Sequence, residues 1–138
     1  MRSISVAVCV DDENGMMFGG RRQSRDRVLI ADFLKDHEGK RICIAPYSQL
    51  LFGEAEVVDV CEHPLRDCPH GGVCFVENLS LTEWADEIGC LTVYRWNRLY
   101  PADLHFDESV LKKGFSLVSV TEFEGSSHEK ITKEVYRK

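Results

Sequence analysis

No apolar run in this chain of 138 residues approaches the length needed to span a bilayer. Proline and tryptophan are scarce, at four and two residues, and there is no internal repeat or low-complexity linker. The stretch Met1–Val10 carries one arginine and has neither the longer apolar region nor the small-residue cleavage site of a signal peptide. It runs straight into Asp11–Gly15, so a cytoplasmic location is expected. No paired C-x-x-C knuckle, nucleotide-cradling glycine loop, Cys-His pair or Ser/His/Asp order stands out. The length suits a single domain, 1–138, and a hydrophobic share of 43% argues against disorder.

Six cysteines would serve a disulfide framework in a secreted chain. Cys9, Cys43, Cys74 and Cys90 fall inside expected apolar strands, where reduced thiols acting as small hydrophobes are the simpler reading. The net charge of −6 is uneven: residues 50–89 hold nine acids and one base, Arg66. An acidic middle argues against wrapping nucleic acid over the whole surface, while a local basic site stays open. A homo-oligomer stays open as an expectation.

Ile4–Val10 is a continuous apolar run, which suits a strand buried on both faces. Asn14-Gly15 ends it as a turn, and residues 16–23 read as an irregular loop. Ser24 is placed to cap a helix over Arg25–His37, with Val28, Leu29, Ala31, Phe33 and Leu34 as its apolar side and Gly39 as its stop. Further strands are expected at Ile42–Ala45, Val57–Cys61, Val73–Val76, Ile88–Trp96, Phe115–Thr121 and Lys130–Arg137. Pro46 opens a short helix over Tyr47–Phe52, and residues 62–72 read as a loop. Ser80 and Glu83 form a capping box for a helix over Leu81–Glu87. Early strands alternate with helices and the tail is hairpin-like. The expected fold class is therefore α/β: a mixed, mostly parallel central sheet flanked by helices, with antiparallel C-terminal strands.

The tail carries a resemblance. W-A-D-E-I-G-C-L-T-V-Y-R-W-N-R-L-Y-P-A-D-L-H-F-D from Trp84, then F-S-L-V-S-V-T and K-I-T-K-E-V-Y, resembles the C-terminal part of dihydrofolate reductases. V-A-V-C-V-D-D-E-N-G-M resembles that family's first strand and the start of its active-site loop. The resemblance implies a substrate-binding helix beginning near Asp26, with the pterin-holding acid falling on Asp26 or, one turn on, Asp32. Two departures stand out. Where the family has Gly-Arg-x-Thr for cofactor phosphate, this chain has Ala45-Pro46-Tyr47-Ser48. Where the family has paired glycines, this chain has Glu77-Asn78, a carboxylate that repels pyrophosphate. The resemblance therefore implies a reduced domain without NADPH binding. The chain also resembles small bacterial proteins, some of which carry a ribonuclease Z label. The His-x-His-x-Asp-His cluster that such chemistry needs is absent.

Arg21, Arg22, Arg25 and Arg27 give four guanidiniums in seven residues around a helix start, where free N–H groups and the helix dipole favour anions. Arg95 and Arg98 would join them if the fold is right. A solvated basic loop is the plainer alternative. In the stretch from Cys61 to Cys74, Cys61, His63, Cys68, His70 and Cys74 are metal-ligand types, but their spacing favours core thiols and loop histidines over a zinc site. Asp11, Asp12, Glu13, Asp103 and Asp107 suit magnesium chemistry or, more simply, turns. His128 reads as structural. Tyr94, Trp96 and Tyr100 read either as core or as a stack for a planar ligand.

The function expected from these features is binding of a small anionic or heterocyclic ligand, without NADPH-dependent reduction. Arg21, Arg22 and Arg25 would hold the anion, and Asp26 a ring nitrogen. The alternatives are a pterin-type reductase with atypical cofactor binding, a metal-dependent hydrolase or nuclease, and an interaction protein whose contact face is the acidic middle.

Overall fold

The computed structural model describes residues 2–53 and 57–138. The strands are β1 (Ile4–Val10), β2 (Gly15–Phe18), β3 (Arg21–Arg22), β4 (Ile42–Ile44), β5 (Val58–Val60), β6 (Val73–Phe75), β7 (Ile88–Arg95), β8 (Leu104–His105), β9 (Ser116–Phe123) and β10 (Ile131–Arg137). The α-helices are α1 (Arg27–Asp36), α2 (Gln49–Phe52) and α3 (Pro64–Asp67), joined by 3₁₀ turns at Pro46–Ser48, Thr82–Glu87 and Glu108–Lys112. Among the described residues no helix is long and apolar enough to cross a membrane.

Seven strands form the main sheet in the order β5-β4-β6-β1-β7-β10-β9. β1 lies between β6 and β7, parallel to both, and β4 and β5 continue the parallel half. β10 runs antiparallel to β7, and β9 antiparallel to β10. The mixed, mostly parallel sheet and its antiparallel tail agree with the alternation of elements in the sequence. Val6, Val8 and Val10 of β1 enter the core on one side of the sheet, and Ala7 enters it on the other. Cover on both faces is what makes β1 a continuous apolar run. On the second side, α1 and α2 are held to β6 by edge-on packing of Phe33, Phe52 and Phe75, with ring centroids 5.1–5.9 Å apart.

Local details differ from the sequence expectations for identifiable reasons. Residues 16–23 are no irregular loop: β2 and β3 form a hairpin, and β8 pairs with β2 to make a three-stranded sheet. Gly19 and Gly20, at φ of 59° and 75°, supply the left-handed pair that a two-residue hairpin turn requires. Helix α1 is capped by Asp26, whose carboxylate accepts from the N–H groups of Val28 and Leu29, and Ser24 lies outside the helix. The loop at 62–72 contains α3, opened by Pro64. Ser80 bonds the Thr82 N–H of a 3₁₀ turn, and the expected capping box with Glu83 does not replace that bond.

Candidate functional site

The carboxyl ends of β1, β6 and β7 open on one cleft, the place where open α/β sheets present ligand sites. Its apolar wall is Met16 from β2, Leu29 and Ile30 from α1, Leu51 from α2, Phe75 from β6 and Trp96 just after β7. Cys9, Arg22, Gln23, Ser24, Arg25, Asp26 and Glu77 complete the lining. Counting its open mouth, the void is about 370 Å³, but only about 20 Å³ remains for the centre of a water molecule.

The expected arginine cluster is divided. Arg22 forms a two-pronged pair with Glu77, Nε to Oε1 at 2.7 Å and a terminal nitrogen to Oε2 at 3.1 Å, and lies over the Tyr47 ring. This bond pushes the Arg22 guanidinium still further up, and Glu77 also accepts from Ser48 Oγ at 2.7 Å. Arg25 lines the cleft with no ion pair among the described residues. Arg21 is exposed on the hairpin. Arg95 does not join the group: it pairs with Glu134 on β10 at 2.9 Å and reaches Asn14. Arg98 is exposed outside the cleft lining, in a loop whose carbonyl receives the Asp12 N–H.

Asp26 has a different task from the expected one of holding a ring nitrogen. Its side chain is 0% exposed. One oxygen accepts from Val28, Leu29 and Ser126 N–H, and the other from Ser127 N–H at 2.8 Å and faces His128 Nδ1 at 3.1 Å. Burial raises this carboxyl, but the Ser126 and Ser127 N–H groups, His128 and the Leu29 N–H outweigh it and hold the group far below the usual carboxylate range. Gly125 makes the approach of this turn feasible, because a Cβ there would stand 2.8 Å from Asp26 Cγ. Asp32, the alternative acid, faces away: it accepts from Tyr94 Oη at 2.8 Å and pairs with Lys133.

His128 is buried behind the cleft, stacked on Trp96 with centroids 4.5 Å apart at 22°. Its Nε2 meets Ser24 Oγ and Tyr100 Oη, each at 3.1 Å. In the sequence this histidine reads as structural, and no Ser/His/Asp order stands out. Ser24, Asp26 and His128 come together over about a hundred residues of chain, through contact of the β9–β10 turn with the start of α1, so no local spacing announces them. The one thiol in the cleft, Cys9, is pushed well up by burial and by the charges of Glu77 and Asp26.

Of the other candidates, Asp11 turns inward, while Asp12, Glu13, Asp103, Asp107, His63 and His70 are exposed. Asp11 is buried and receives the N–H groups of Glu13, Gly15 and Tyr100 and the Gln23 amide. Burial raises Asp11, but those bonds bring it below its ordinary value. Asp103 accepts from Gly19 N–H, and Asp107 caps the turn at Ser109. These carboxylates do turn chemistry. Cys43, Cys68 and Cys74 share one apolar cluster with Cys61 packed against it, the Cys74 and Cys68 thiols facing the Pro64 and Pro69 carbonyls, and the neighbouring Cys74 and Cys43 bring Cys68 below its ordinary value. The histidines do not join them; His70 Nδ1 accepts from Ser3 N–H. Among the described residues no group of three or more His, Cys, Asp or Glu is arranged to hold a metal ion.

Sheet order, antiparallel tail and cleft position together define a dihydrofolate reductase-like fold, as the tail's resemblance implied. Among solved structures, the chain is similar to dihydrofolate reductase from Enterococcus faecalis complexed with NADP(H) and RAB-propyl. The TM-score is 0.65 over 98% of this chain and 95% of that one, at 12% identity. That likeness is one of fold. No family model matches the chain, and no curated protein does.

Proposed function

We propose that the chain binds a small, partly apolar ligand bearing an anionic group in the cleft between β1, α1, β6 and β7, without NADPH-dependent reduction. The observation that carries this reading is Arg25: an exposed arginine that shares the cleft lining with Trp96, Phe75 and Ile30 and has no ion pair among the described residues. Apolar walls with a few convergent polar groups are the usual make-up of a small-molecule site. The expected anion role of Arg21 and Arg22 contracts to Arg25, since Arg22 is neutralised by Glu77 and Arg21 lies outside the cleft lining.

The residues present do not fit a dinucleotide. The fold's cofactor would need bare backbone after β6, and this chain places there a Glu77 side chain only 8% exposed, bridging Arg22 and Ser48. Paired with Arg22, it fills the place of bare backbone and leaves that guanidinium unavailable to pyrophosphate. A reductase with a differently seated cofactor, or a metal-dependent hydrolase, gains no observation. Six free thiols support the expected cytoplasmic location.

Thermal melting against aromatic carboxylates, pterins and nucleotides tests the reading. A ligand at 100 times its Kd stabilises by about 2.7 kcal/mol, which raises Tm by several degrees. Flat melting curves across the anionic members of the panel would overturn it.

A further inference from the structure

We propose that Ser24 is a nucleophile, activated by His128 with Asp26 as its positioning residue, and that it takes the acyl group of a small ester or thioester entering the cleft. This rests on the binding reading in one respect: the acyl substrate occupies that same space.

The geometry is a relay of two contacts, Ser24 Oγ to His128 Nε2 at 3.1 Å and His128 Nδ1 to Asp26 Oδ2 at 3.1 Å. Its direction follows from the acid. Asp26 is an ionised acceptor already receiving backbone N–H groups, so it has no proton to give. Ser127 Oγ also stands 3.0 Å from Nδ1, but its own proton goes to the Arg25 carbonyl at 2.6 Å, so the proton between Asp26 and the ring sits on Nδ1. In the tautomer with its proton on Nδ1, the lone pair is on Nε2, facing the Ser24 hydroxyl. The ring is held in one orientation by the Trp96 stack and by Asp26. Ser24 lies on the cleft lining, whereas the His128 side chain is 1% exposed and works from behind it. A nucleophile, a base within hydrogen-bond reach and a third group orienting the base are the signature of covalent acyl transfer, whatever their order in the chain.

In the step proposed, Ser24 Oγ attacks the substrate carbonyl carbon and its proton passes to His128 Nε2. The bond to the leaving alkoxide or thiolate breaks, and that group takes the proton from Nε2. Water then attacks the acyl-Ser24 ester, giving a proton to Nε2 that returns to Ser24 Oγ as the carboxylic acid leaves. Arg25 is the cation available to the negative charge that develops, and the carboxylate product is the kind of anion the cleft is proposed to hold.

Tyr100 makes the inference sharply testable. Its hydroxyl also stands 3.1 Å from Nε2, and a neutral imidazole has one lone pair there, so two hydroxyls compete for it. Tyr100→Phe leaves Ser24 as sole donor.

The experiment treats the full chain with an alkyl fluorophosphonate and with p-nitrophenyl acetate, reading the adduct by intact and peptide mass and the burst of p-nitrophenolate. One adduct per chain is expected, on Ser24, absent in Ser24→Ala, slowed by roughly 10²–10⁴-fold in His128→Gln, and faster in Tyr100→Phe. No adduct, an adduct elsewhere, or equal rates in Ser24→Ala would overturn the proposal. If His128→Gln does not fold, the Ser24→Ala and Tyr100→Phe results decide alone. Melting shifts with anionic ligands but no Ser24 adduct would sink the nucleophile and leave the binding reading standing; an adduct without ligand shifts would do the reverse.

Discussion

Glu77 and Arg22 lock the end of β6 to the β2–β3 hairpin through two hydrogen-bonded contacts, at 2.7 and 3.1 Å, across one side of the cleft. With side chains 8% and 19% exposed, the pair is shielded from solvent, and Glu77 ties up the Arg22 charge that an entering anion would otherwise meet. Glu77→Gln keeps an acceptor for Ser48 and removes the negative charge. Affinity for an anionic ligand should then rise by roughly five- to tenfold, about 1 kcal/mol, in isothermal titration. Equal affinity in the two proteins would mean that the pair does not govern entry.

The same carboxylate should exclude the dinucleotide. NADPH at about 1 mM is expected to leave Tm unchanged and to undergo no oxidation with added pterins, since a ligand far below its Kd stabilises by almost nothing. A clear rise in Tm would show that the groove admits it.

Asp26 stabilises the fold most strongly where its carboxylate is ionised. Its folded value lies below its unfolded one, so its contribution is fully present above about pH 4 and is lost as pH falls below that range. Asp26→Ala removes the α1 cap and orphans the Ser126 and Ser127 N–H groups, at a cost of roughly 2–4 kcal/mol in urea unfolding. Asp26→Asn should flatten the acid limb of the stability curve relative to the parent chain.

His37 acts in a higher pH window. It is buried against Phe33, neither ring nitrogen has a hydrogen-bond partner among the described residues, and Asp36 at 3.7 Å is too distant to supply one. Burial lowers its pKa, so the unfolded chain takes the proton first. Stability is therefore full above about pH 6.5 and declines as pH falls through that value. His37→Leu should erase this part of the pH dependence, visible as a smaller drop in Tm between about pH 7 and pH 5.

Much of the fold was legible because its signals are local. β1 reads from its unbroken apolar run, α1 from Leu29 and Phe33 on one face, and the tail from the alternation in β10. The β2–β3 hairpin was hidden because its strands are only four and two residues long. The cap moved from Ser24 to Asp26 because a carboxylate there also gathers the N–H groups of Ser126 and Ser127, a tertiary gain that helix signals do not carry. Arg95 looked like part of the cluster until β7 turned it toward Glu134. The Ser24–His128–Asp26 relay had no sequence signal at all, since it depends on where the β9–β10 turn lands.

Trp96 offers the most direct measurement of the central claim, that the cleft beside Arg25 is the ligand site. In a Trp84→Phe background Trp96 is the sole tryptophan, so its fluorescence reports the cleft wall. Titration with a ligand that raises Tm should give a saturable change in Trp96 emission, weakened by about tenfold or more in Arg25→Ala. A ligand that stabilises the chain while leaving Trp96 emission unchanged, or that binds Arg25→Ala with undiminished affinity, would contradict the account.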